Sequence, residues 1–158
     1  MDLLFLFEWI DTSMLAEISK AYGGVFAVVQ TFHLGAMVLL GGMILVGDLR
    51  LLNITMPDIP APVVLKNTER WVGYALVVIV LSGIFMMSAV AIKLYYNVFF
   101  LSKMVGLFMG ICFFYLIRKP LLNGDHSELN PWSIKIIAVT SILIWFSVAA
   151  SGRWIGFS

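Results

Sequence analysis

The sequence is poor in the residues from which soluble active sites are usually built. It has one cysteine, Cys112, and two histidines, His33 and His126. A lone cysteine excludes an intrachain disulfide and a thiolate metal cluster, and Cys112, set in an apolar run, reads as a small packing residue. Charge is scarce as well. Asp, Glu, Lys and Arg make up 12% of the chain, about half the share typical of a soluble domain. A formal balance of +1 gives no sign of a nucleic-acid partner. The N-terminus lacks the basic region of a secretory signal: Asp2, Glu8, Asp11 and Glu17 stand there against Lys20.

What is present is apolar sequence. Hydrophobic residues are 61% of the chain and the mean hydropathy is +1.01, the composition of an integral membrane protein in one domain, residues 1–158. Four runs, about 24–46, 71–92, 99–117 and 134–151, are long enough to cross a hydrocarbon core of about 30 Å, which takes roughly 20 helical residues. Backbone polar groups in lipid must be satisfied internally, and unbroken apolar runs do this as helices. The expected fold is therefore all-α, an antiparallel four-helix membrane bundle. Before it, Leu3, Phe7, Ile10, Met14 and Ile18 fall on one helical face, which predicts an amphipathic helix over 1–22 lying in the interface.

The connections carry turn chemistry. Pro57, Pro60 and Pro62 interrupt helix between the first two spans. The second connection is "KLYYN", and the third contains Asn123-Gly124 and Asn130-Pro131. Arg50, Lys66, Arg70, Arg118, Lys119 and Lys135 fall on one side, against Lys20, Lys93 and Arg153 on the other. The excess of basic residues in short loops places the first and third connections in the cytoplasm and both termini outside. Gly35, Gly41 and Gly42 on the first span, and the pair Gly106 and Gly110 on the third, leave smooth faces for close helix approach within or between chains.

Ionisable groups at membrane depth are costly and point to function. His33 lies about 13–14 Å along the first span at 1.5 Å per residue, near the midplane. Lys103, Arg153 and Gln30 share the outer half with it. Such a set suits a buried cofactor, either heme b, with imidazole on the iron and Lys103 or Arg153 at the propionates, or a quinone. Met37, one turn from His33, is a candidate thioether ligand, as are Met86, Met87, Met104 and Met109; methionines also serve as flexible core filler. No second histidine lies within a span, so heme would need another axial ligand. His33 could equally make an interhelical hydrogen bond, and Lys103 could snorkel to the interface.

Asp48 lies in the last turn of its helix, where it opposes the macrodipole and wants a cation. Arg50, Arg70, Arg118 and Lys119 are on that side, and Asp48 with Arg50 is read as a structural pairing. His126, in "NGDHSEL", reads as a solvated loop residue.

The stretch "FHLGAMVLLGGMILVGDLRLL" resembles the opening span of a family of small, uncharacterised bacterial four-helix membrane proteins, which begins His-Leu-(Leu)-Gly and ends Asp-Leu-Arg-Leu-Leu. The closing "SGRWIGF" and the lysine in "NVFFLSKMVG" look like that family too. A more distant likeness is to heme-containing membrane proteins of the copper-resistance D and protoporphyrinogen-oxidase type. It implies a heme ligand at His33 and equates Lys103 with a lysine of those proteins. Two functions are thus expected in competition. One is an inner-membrane electron-transfer or redox protein, possessing heme b or quinone held through His33. The other is a non-enzymatic membrane subunit that packs with a partner or oligomerises.

Overall fold

The computed structural model describes residues 3–120 and 130–157. His126 and the Asn123-Gly124 turn lie outside the described residues. All regular elements among the described residues are helical: α1 Leu4–Asp11, α2 Met14–Ala21, α3 Gly23–Leu51, α4 Ala61–Ala89, α5 Ala91–Tyr95, α6 Val98–Cys112 continued by a π-helical turn Phe113–Arg118, α7 Pro131–Trp154, and a 3-10 turn Ile155–Phe157. Four of these, α3, α4, α6 with its π turn, and α7, are long and apolar enough to cross a membrane. The protein is an all-α, multi-pass membrane bundle.

The helix ends follow local chemistry. Asn97 caps α6 by accepting from the Phe99 and Phe100 amides at 3.0 and 3.1 Å, and Asn130 caps α7 by accepting from Trp132 at 3.0 Å. Pro131 opens α7, where its missing N–H costs nothing. The same tolerance explains a difference from the sequence expectation at α4. Pro60 caps that helix and Pro62 sits in its first turn, so the second span begins at Ala61, ten residues before position 71, and the proline-rich linker shrinks to 52–60.

The N-terminal segment also differs. The expected helix over 1–22 is two short helices, broken at Thr12 and Ser13, because the Ser13 side chain turns to accept from the Ala16 amide at 3.3 Å and starts α2. Phe7, Ile10 and Ile18 are partly buried, whereas Leu3 and Met14 are exposed. Ala16 and Ser19 bury instead, and the Ser19 hydroxyl meets that of Ser88 on α4 at 3.4 Å. α1 rests on α5 and α6 through the ring of Phe7, 5.4 Å from Tyr95 and 6.4 Å from Phe100. Its outer face presents Phe5 and Trp9, side chains suited to the headgroup level.

Within the bundle the close helix pairs are α3 with α4, α3 with α7, and α6 with α7. Two antiparallel hairpins, α3–α4 and α6–α7, therefore meet along the α3–α7 seam. The core runs down this seam: Ala36, Leu40 and Ile44 of α3, Val72, Ala75, Leu76 and Ile79 of α4, Phe114, and Trp145 of α7. Gly106 and Gly110 make the α6–α7 approach possible. A Cβ at Gly106 would stand 3.0 Å from Val148, and one at Gly110 would stand 3.2 Å from Trp145. The window of highest hydropathy in the third span buries 11% of its residues, against 22–28% in the other three, so α6 is the most peripheral.

Candidate functional site

Polar groups gather at two levels of the bundle. The level nearer the loop ends is an ion pair. Asp48 on α3 is fully buried and Arg118, the last residue of the π turn, is 2% exposed. The Arg118 Nε and Nη2 both donate to Asp48 Oδ1, at 3.0 and 2.8 Å. Gly47 creates the space, since a Cβ there would lie 2.7 Å from Arg118 Nη2. The guanidinium also stacks over the Phe114 ring, 5.1 Å from its centroid. Asp48 Oδ2 is without a hydrogen bond of ordinary geometry, as is the buried Ser141 hydroxyl on α7.

The pairing of Asp48 with Arg50 is corrected by this geometry. Two residues along a helix, side chains diverge by about 200° at 3.6 residues per turn. Asp48 accordingly faces the core and Arg50 faces the α3–α4 connection. There Arg50 donates from Nε to the Ile59 carbonyl at 2.7 Å, from Nη1 to Asn53 Oδ1 at 2.8 Å, and from Nη2 to the Pro57 carbonyl at 3.3 Å. Asn53 takes a left-handed backbone conformation, φ 64°, which an asparagine tolerates. Arg50 thus holds the loop and Arg118 holds Asp48.

The level nearer the termini contains His33. Its side chain is buried, and Nδ1 lies 2.8 Å from the Ser82 hydroxyl on α4. Ser82 has one proton, and its oxygen lies within hydrogen-bonding distance of the Val78 and Ile79 carbonyls, which can only accept. The Ser82 oxygen therefore accepts from His33 Nδ1–H. That fixes the tautomer and leaves the lone pair on Nε2; the ring also interacts with the Ile79 carbonyl. Gly83 flanks the ring, with His33 Cε1 3.5 Å from where its Cβ would stand.

One helical turn deeper, a cleft of about 70 Å³ opens between all four spans, lined by Met37, Ile79, Lys103, Leu107, Trp145 and Val148 among others. Lys103 is within electrostatic reach of His33. Its aliphatic stem and ammonium lie along Gly152 of α7, 3.4–3.5 Å from where a Cβ would be, so the glycine makes the lysine's berth. Among the described residues Lys103 has no acidic partner. Trp145 is 8% exposed and its Nε1 has no acceptor among the described residues.

The structure brings together His33, Met37 and Lys103 of the residues expected at a cofactor. Gln30 and Arg153 are not part of this cluster. Gln30 is exposed near the start of α3, and Arg153, also exposed, lies over the Phe157 ring at 4.6 Å. The interhelical hydrogen bond expected as the other reading of His33 is present, to Ser82, although neither Ser82 nor Trp145 stood out by position. A serine next to a glycine inside an apolar span was the available signal for Ser82, whereas nothing local distinguishes Trp145 from a packing aromatic.

The space bears on the two expected cofactors. An engineered cavity of about 150 Å³ holds a benzene ring, so this cleft takes the edge of a single ring, and rotation of the flexible Met37 and Lys103 side chains would enlarge it. A porphyrin macrocycle exceeds it several-fold and would require the helices to part.

Fold and site thus define a four-helix membrane protein with a buried His–Ser pair above an interhelical cleft. The chain belongs to DUF6644, a family of unknown function, whose sequence profile matches residues 6–158. Neither a curated protein nor a solved structure matches it.

Proposed function

We propose that this protein is a redox component of the bacterial inner membrane, with both termini on the periplasmic side, that binds the ring of a quinone beside His33. The observation that carries the reading is an imidazole buried at membrane depth whose Nδ1 is tied to Ser82, beside a lysine with no acidic partner among the described residues. With Nδ1–H engaged, Nε2 is the nitrogen able to accept the hydroxyl proton of a quinol, and Lys103 can donate to the corresponding oxygen of a quinone. The chain's own part is binding and proton exchange. Electrons would pass to or from a redox centre on a partner subunit.

The test is binding of a short-tailed benzoquinone to protein in lipid nanodiscs, followed by calorimetry for the wild type, His33→Ala and Lys103→Met. Saturable binding that weakens in both variants supports the reading; equal binding in all three, or none in the wild type, defeats it. An absorption spectrum of the same preparation separates the heme alternative. A Soret band with b-type reduced features, lost in His33→Ala, would replace the quinone by heme.

A second reading is favoured by a different observation. Gly35 and Gly42, seven residues apart and so on one face of α3, have no neighbour within 4 Å of where a Cβ would stand. A non-enzymatic subunit that packs this face against a partner or a second copy would account for them. It predicts that Gly35→Leu or Gly42→Leu disrupts assembly, measured as mass in detergent, while His33→Ala does not.

A further inference from the structure

The cleft contains a hydrogen-bond donor that the reading above does not use. Trp145 comes from α7, across the bundle from the His33–Ser82 pair on α3 and α4. Its indole is 8% exposed, and among the described residues Nε1 is one of few buried polar atoms without a partner. An indole N–H can only donate, and a buried donor left without an acceptor is costly. The indole packs on α6 through Cε2 and Cζ2, 3.4 and 3.2 Å from where a Cβ on Gly110 would be. Trp145 also lines the cleft, together with Lys103 and Leu107 of α6.

The polar groups around this space are therefore complementary in kind and separated in depth. His33 and Lys103 stand toward the end with the termini: His33 is one turn before Met37, and the Lys103 ammonium reaches up along Gly152. Trp145 lies seven residues before Gly152 on α7, about 10 Å deeper at 1.5 Å per residue. Between them the lining is aliphatic or thioether: Met37, Leu40, Ile79, Leu107 and Val148. With Met37 and Lys103 rotated to admit a ring, a space with the Lys103 cation at one end, His33 just beyond it and a lone N–H toward the other end suits a flat ring with an oxygen at each end.

We propose that Trp145 donates its indole N–H to the quinone carbonyl remote from His33 and Lys103, so that the cleft recognises both oxygens of a para-quinone. This rests on the quinone reading and adds the second point of attachment. It also gives a selection rule: a ring with both oxygens is held at two ends, and one lacking the remote oxygen at one end only.

The experiment is ¹⁵N-indole labelling of the full chain in nanodiscs. Trp145 is assigned by Trp145→Phe or, should that variant not fold, by replacing the other four tryptophans, Trp9, Trp71, Trp132 and Trp154, which are 50–70% exposed. A short-tailed para-benzoquinone is expected to shift the Trp145 Nε1–H resonance downfield. Trp145→Phe should weaken its binding about 5- to 10-fold, the worth of one hydrogen bond. A ring-matched monophenol should bind without that shift. Quinone binding that depends on His33 but leaves the Trp145 resonance unmoved overturns this inference alone, whereas no quinone binding overturns it together with the reading it rests on. A shift produced by oleate and not by quinone would assign the donor to a lipid carboxylate and overturn the proposal.

Discussion

Asp48 and Arg118, 70 positions apart in the chain, form a buried ion pair in which two guanidinium nitrogens share one carboxylate oxygen. The pair ties α3, the first span, to the π-helical end of the third. Neither charge can reach water without moving the helices, so each depends on the other.

Removing one partner leaves the other charged and buried. Asp48→Ala and Arg118→Ala are each expected to cost about 3–5 kcal/mol, read as a fall in thermal midpoint in detergent. Replacing both together, Asp48→Leu with Arg118→Met, should recover most of that loss. A double variant as unstable as the singles would contradict this account.

Gly47 and Gly41 lie on the same helix, and the structure separates them. A Cβ at Gly47 collides with Arg118 Nη2 and approaches Leu65 at 3.3 Å, whereas Gly41 has open space. Gly47→Ala should destabilise by about 1–3 kcal/mol through overpacking, and Gly41→Ala should leave the melting of the single chain unchanged.

Arg50 acts on its loop. Arg50→Ala removes the donors to Asn53, Pro57 and Ile59, bonds at the surface, and is expected to cost about 1 kcal/mol. Its signature should be faster proteolysis within 52–60, with the Asp48–Arg118 pair intact. Global unfolding comparable to Arg118→Ala would show that Arg50 does more than order the loop.

Ser82→Ala takes away the acceptor that holds His33 Nδ1–H. The imidazole should then lose its fixed tautomer, visible as a changed pair of ring ¹⁵N shifts, at a stability cost of about 1 kcal/mol. Quinone binding should weaken as well, because Nε2 is no longer held as the acceptor. Unchanged ring shifts would place the His33 proton on Nε2 from the start.

Most of the fold was legible in the chain itself. Four apolar runs, and the need of every backbone amide in lipid for a partner, leave little but four helices, and Pro60, Asn97 and Asn130 mark where three of them begin. The boundaries moved where local chemistry is ambiguous. Pro62 reads as a breaker, yet in a first turn it costs nothing, and Ser13 looks like part of one amphipathic helix until its hydroxyl caps the next.

The site was legible in part. His33 and Lys103 stand out because ionisable groups are expensive in an apolar run, and Asp48 announces that it needs a cation. Their partners could not be read from the chain, because a membrane bundle brings together residues by helix rotation and crossing, over separations that leave no periodic trace. Periodicity places Asp48 and Arg50 on different faces but does not say that Arg118 completes the pair. Nor does it say that Ser82 takes the proton from His33 Nδ1, or that the Trp145 N–H is buried without an acceptor among the described residues. Composition and hydropathy determined that this protein is a four-helix membrane bundle with a histidine at depth. The packing of α3 against α4 decided which nitrogen of that histidine is held by Ser82, because hydrogen-bond partners are set by distances between helices and the chain encodes those only collectively.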